Sequence, residues 1–147
     1  MKLLNFYKWI AGSKSDFINQ FHNNEVLFGK ANSFWQQLEA HSWFFLVIIL
    51  VLGIGIAAFY YKPYNELPHR HYKPSHWLIF LGITFLLAFF FTWLYEYLSA
   101  KPQLHGANWL EVKFAIGNAL YTVVIYFVTS FVWCNLLPTN AYKFFKI

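Results

Sequence analysis

The sequence predicts an all-α polytopic membrane protein, with three transmembrane helices behind a helical N-terminal section, assembled as an oligomer. Composition is the first observation. Of 147 residues, 59% are hydrophobic, 24% aromatic and only 12% charged, about half the charged share of an ordinary soluble domain. A chain this short buries too small a fraction of its surface to hide that much apolar area from water. The second observation is three apolar segments, 43–61, 77–98 and 114–137. Each reaches the roughly 20 residues that cross about 30 Å of hydrocarbon as a helix. Third, Trp43, Tyr60, Tyr61, Trp77, Trp93, Tyr95 and Tyr97 gather toward segment ends, as side chains at a lipid–water interface do. Backbone amides find no water in hydrocarbon, so the spans are helices.

The N-terminal section covers residues 1–42 and the three-helix membrane domain 43–147. In the first eleven residues Leu3, Phe6, Tyr7 and Ile10 share a helical face away from Lys2 and Lys8. That pattern predicts a short helix lying on the membrane surface. Ser15 or Asp16 is placed to cap a second helix, with Phe17, Phe21 and Phe28 inward and Gly29 at its end. Ser33 to Gln36 reads as a capping box that opens a third helix running unbroken into the first span. No linker composition, repeat or low-complexity run interrupts the chain, and no signal-peptide pattern follows Lys2.

Within the first span, Gly53 and Ala57 stand four apart and Gly55 adds a second notch for close helix approach. The second span carries LAFFFTW, a surface for lipid or packing. Its one charge, Glu96, is expected as an interfacial anchor within reach of Lys101 or Lys113. The third span sets Glu111, Asn118, Thr122, Ile125 and Thr129 on one face at about 3.6 residues per turn. Polar side chains in hydrocarbon face a bundle interior or a water-filled cavity. They read as glue between helices, or as a pore wall with Glu111 at the mouth and Asn118, Thr122 and Thr129 below it. A wall of this kind needs several copies. Cys134 reads as packing, and as the single cysteine it forms no intrachain disulfide. The ending YKFFKI reads as an interfacial anchor.

Between the first two spans lies KPYNELPHRHYKPSH, residues 62–76, with three cations, three histidines and one acid, Glu66. Prolines 63, 68 and 74 oppose a regular helix there. Lys62, His69, Arg70, His71, Tyr72 and Lys73 offer cations and a stacking face to an anionic nucleotide or oligonucleotide. The plainer reading is a solvated loop that fixes topology beside lipid headgroups. A zinc site on His69, His71 and His76 lacks convergent ligands, so no metal and no other cofactor is expected. The histidines also allow a pH sensor.

No phosphate loop, nucleophile elbow, HExxH or CxxC occurs, so no enzyme and no catalytic residue is predicted. The expected function is a homo-oligomeric ion channel or pore. The alternative is a non-catalytic anchor or adaptor subunit of a larger envelope complex, with a soluble partner at the N-terminal section. A third reading is a pore-less lipid or metal binder. Ten lysines against one arginine suggest an AT-rich bacterial genome and so a bacterial inner membrane, and the +5 net charge fits anionic lipid headgroups or an anionic ligand. Local charge counts favour a cytoplasmic first loop and C-terminus, the orientation expected, whereas adding Lys2, Lys8 and Lys14 of the N-terminal tail tips the count the other way.

In layout the chain resembles the small transmembrane effectors of bacterial anti-phage systems, channels gated by nucleotides or DNA oligomers, Hailong-type among them. KPYNELPHRHYKPSH and FAIGNALYTVVIYFVTS carry the resemblance. It implies an antiviral channel that depolarises the membrane, and it assigns no residue roles.

Overall fold

The computed structural model describes residues 3–67, 73–99, 104, 109–141 and 143–145. Among them there are helices and turns but no strand. A 3-10 turn, Leu3–Tyr7, leads into α1 (Lys8–Ala11), followed by α2 (Lys14–Asn19), α3 (Glu25–Ala40), α4 (Ser42–Phe59), α5 (Pro74–Ser99) and α6 (Leu110–Leu136). A wider π turn, Tyr60–Tyr64, extends α4. Pro63 lies inside that turn, where its missing N–H does least harm to an already altered ladder. Pro74 opens α5, the position at which its fixed φ and missing donor cost nothing.

Three helices are long and apolar enough to cross a membrane: Ser42–Tyr64, Pro74–Ser99 and Leu110–Leu136, of 23, 26 and 27 residues. The protein is therefore an all-α membrane protein with three spanning helices, as its composition predicts. Outward-facing Val51, Ile79, Leu86, Phe90, Phe91, Val124 and Val128 are exposed, the surface that acyl chains cover.

Local signals in the N-terminal section play out differently from the expectation. Ser13, not Ser15 or Asp16, caps α2: its hydroxyl accepts from the Asp16 amide while Asp16 accepts from the Ser13 amide. Asn24 caps α3 through the Leu27 amide. The helix then runs through both Gly29 and Ser33, so neither marks a terminus. Propagating an established helix past one glycine costs only about 1 kcal/mol, less than ending it. α3 does not continue into the first span. It stops at His41, where Ser42 turns its hydroxyl back to the Glu39 carbonyl at 2.9 Å. Phe17 is inward as expected, but Phe28 is exposed.

Contacts cluster in two compact units, Met1–Leu46 with Phe89–Asn118 and Val47–Ala88 with Ala119–Ile147. The 42/43 boundary read from composition falls inside the first. Its core is aromatic. Trp35 lies between Phe17 and Phe114 with ring centroids 5.9 and 6.0 Å away, and Tyr7 packs on Phe114 at 5.1 Å. The face of Leu4 and Tyr7 is buried, whereas Phe6 and Trp9 point outward. The first turn is thus packed on the start of α6 rather than lying wholly on a membrane surface. Gly117 permits this, since a Cβ there would meet Tyr7 Cδ1 at 3.0 Å.

The second unit is built on Ala57, Tyr60, Tyr61, Trp77, Tyr126, Cys134 and Ala141. Tyr60, Tyr61 and Trp77 are buried, so these three serve the core and not an interfacial belt. Buried aromatic donors need partners: the Trp77 indole donates to Ser130 Oγ at 3.1 Å, and the Tyr61 hydroxyl meets Cys134 Sγ at 3.4 Å. The chain end returns to this core, with Phe144 stacked on Trp77 at 4.9 Å. Gly53 faces Ile125, while nothing lies within 4 Å of a Cβ placed at Gly55. One of the two expected notches is therefore a contact and the other is open.

Candidate functional site

Within the first unit the spans enclose a cluster of polar side chains. α5 supplies Thr92 and Glu96, four residues apart and so stacked on one helical face. α6 supplies Glu111 and Asn118, two turns apart. The N-terminal turn adds Tyr7. Thr92, Glu96 and Asn118 are fully buried, Tyr7 is 4% exposed and Glu111 is 7% exposed.

Part of the cluster is closed by short hydrogen bonds. The Tyr7 hydroxyl donates to Asn118 Oδ1 at 2.6 Å, across 111 residues of sequence. Asn118 Nδ2 donates to Thr92 Oγ1 at 2.7 Å. Both atoms of the amide are thereby used inside one chain, the arrangement of polar glue between packed helices.

Glu96 is different. Both carboxyl oxygens are buried, and among the described residues neither has a hydrogen-bond partner. Among the described residues a second carboxylate, Glu111, acts on it electrostatically, and Tyr95 lies within reach of its field. An interfacial anchor would keep its head in water, so the expected role of Glu96 is not the one observed. Holding an uncompensated carboxylate away from water costs several kcal/mol. Acidic groups inside spanning helices are rare for that reason and mark ion or proton sites.

The residues expected to form a wall are distributed as follows. Asn118 and Thr122 are fully buried in their own chain, Glu111 is nearly so, and Thr129 is half-buried. In the loop, Lys62 and Lys73 are exposed, free to meet an anion. His69, Arg70, His71 and Tyr72 lie outside the described residues. His76 sits in the first turn of α5 with Nδ1 3.4 Å from the Tyr64 hydroxyl.

Reading the sequence missed Tyr7, Thr92 and Glu96 as members of the site. One signal was available: Glu96 is the single charged residue in all three apolar segments. Nothing local in the sequence pairs Tyr7 with Asn118.

Fold and cluster together define the class: a small multi-pass helical membrane protein with a carboxylate enclosed among its spans. Comparison with known protein families, characterised proteins and solved structures finds no match.

Proposed function

We propose that the protein is a homo-oligomeric ion channel of a bacterial inner membrane, acting as an antiviral effector gated by an anionic nucleotide or oligonucleotide. The observation that carries the reading is the Glu96 carboxylate, enclosed within a spanning helix and without a hydrogen-bond partner among the described residues. Retaining such a group against its desolvation cost makes sense where ions or protons pass. Fewer than half of the residues of each span are buried in their own chain, and exposed apolar side chains such as Val51, Leu86 and Val124 leave faces for lipid and for further copies. Loop 62–76 and the C-terminus are cytoplasmic in this reading, with Lys62 and Lys73 as part of the ligand collar.

The gating half of the reading has its own test. Double substitution Lys62→Ala, Lys73→Ala should weaken binding of short single-stranded DNA and flatten its salt dependence. Binding unchanged in strength and salt slope removes the collar.

A second reading, a membrane anchor or adaptor, is favoured by two observations. Asn118 satisfies its amide within one copy. The N-terminal section also carries an open groove of about 520 Å³ lined by Lys8, Lys14, Phe28, Trp35 and Glu39 among others, a place for a soluble partner. Ion flux through liposomes holding the purified protein separates the two, since the anchor passes none.

A further inference from the structure

We propose that the groove in the N-terminal section is a site for one anionic phospholipid, with Lys8 and Lys14 holding the headgroup phosphate and an acyl chain lying along Leu4 and Phe28. The site is independent of ion passage, so it stands whether the protein conducts or anchors.

Charge comes first. The groove of about 520 Å³ has two lysines, Lys8 and Lys14, and one acid, Glu39, in its lining. Lys8 is exposed and Lys14 half-buried. All six acids of the chain lie among the described residues, and among those residues no ion pair joins any acid to Lys8 or Lys14. Glu39 accepts from the Trp35 indole at 3.2 Å. Asp16, close by in sequence, is bound into the α2 cap by Ser13. The lining thus carries one more positive charge than negative, and an anion suits it.

Depth makes that anion a lipid. Trp35 lines the groove and packs on Phe114 at 6.0 Å, and Tyr7, next to Lys8, packs on Phe114 at 5.1 Å. Phe114 is the fifth residue of α6, about 6 Å along the helix axis. The 27 residues of α6 extend about 40 Å against about 30 Å of hydrocarbon, so roughly 5 Å at each end stands among headgroups. Phe114 then sits where headgroups meet acyl chains, and the groove sits with it. Leu4 and Trp35 give the groove a buried apolar floor, and Phe28 leaves 38% of its surface open beside it. Phosphate against ammonium groups, with methylenes against apolar side chains, is the pairing that a phospholipid offers.

Native mass spectrometry on the full-length protein in detergent tests the site. Phosphatidylglycerol, phosphatidylcholine and glycerol 3-phosphate are added in separate titrations. The expected result is one phosphatidylglycerol retained about fivefold more tightly than phosphatidylcholine, the effect of one uncompensated lysine beside an anionic lipid. Lys8→Gln with Lys14→Gln should abolish that preference. Lys30→Gln with Lys143→Gln removes the same charge outside the groove lining and should keep it. Equal retention of the two phospholipids by wild type overturns the proposal and leaves the groove to a soluble partner. A preference that survives Lys8→Gln with Lys14→Gln, or that falls equally in both double variants, overturns it as well. Glycerol 3-phosphate retained as tightly as phosphatidylglycerol assigns a free-phosphate site and rejects the lipid. The wild-type comparison needs no variant, so it decides the matter even where a double variant does not fold.

Discussion

Ser13 and Asp16 show how much one residue's spacing decides. Three side chains in Ser13-Lys14-Ser15-Asp16 are able to cap a helix, and the sequence favours the later two. The structure selects Ser13 because Asp16 then falls three residues on, where each side chain meets the other's backbone amide. The same bonds hold the Asp16 carboxyl below the usual carboxylate range, chiefly through the Ser13 hydroxyl and next through its backbone N–H. A depressed folded-state value means the stabilisation is fully present above the ordinary range. It is lost as pH falls through the depressed value. Ser13→Ala should weaken α2 by about 1 kcal/mol, seen as faster amide exchange over residues 14–19 and as a smaller acid-dependent step, since the backbone N–H at position 13 still donates to Asp16. Asn118 poses the converse case. Asn118→Ala strips the Tyr7 hydroxyl and Thr92 of a buried partner, and should lower stability in detergent by about 1–3 kcal/mol. Thermal unfolding of the two proteins side by side measures this. The polar character of position 118 was legible from its place in an apolar run. Its partner was not, because Tyr7 is 111 residues away.

At the scale of elements, the three spans were readable and their facing sides were not. An apolar segment announces its length but gives no stripe by which to orient it. Gly53 and Gly55 look equivalent in sequence, yet a Cβ at Gly53 would meet Ile125 Cγ2 at 2.8 Å and the Thr122 carbonyl oxygen at 3.0 Å. Nothing lies within 4 Å at Gly55. Gly53→Ala should therefore cost about 1–3 kcal/mol through overpacking. Gly55→Ala should be neutral, or stabilising by up to about 1 kcal/mol through helix propensity. Equal unfolding temperatures for the two variants would show that α4 does not pack as described. Helix ends in the N-terminal section misled for a related reason. Gly29 and Ser33 are terminus signals only where the backbone leaves the helix. Once Asn24 has capped α3, the Ser33 hydroxyl bonds back to the Gly29 carbonyl at 2.9 Å and the helix continues.

For the whole molecule, the membrane class follows from composition and three segment lengths, both properties of the chain alone. By contact, the first unit joins Met1–Leu46 to Phe89–Asn118, a pairing of distant segments that composition does not announce. Amphipathicity shows that Tyr7 seeks apolar surroundings, but it placed Phe6, which is exposed, on the same face and passed over Leu4, which is buried. It cannot distinguish a lipid surface from the side of α6, and only the matching of hydroxyl to amide settles the choice. Glu96 was visible as a lone charge near a span end, but its enclosure depends on elements distant in sequence.

The central claim is that an enclosed carboxylate serves ion passage. Cation flux into liposomes that carry the purified full-length protein tests it most directly. The expected result is flux above that of protein-free liposomes, which falls steeply in Glu96→Gln while insertion and oligomeric state are unchanged. Protein that is folded and inserted, with its gating ligand supplied, yet passes no ion would contradict the account and leave the anchor reading in its place.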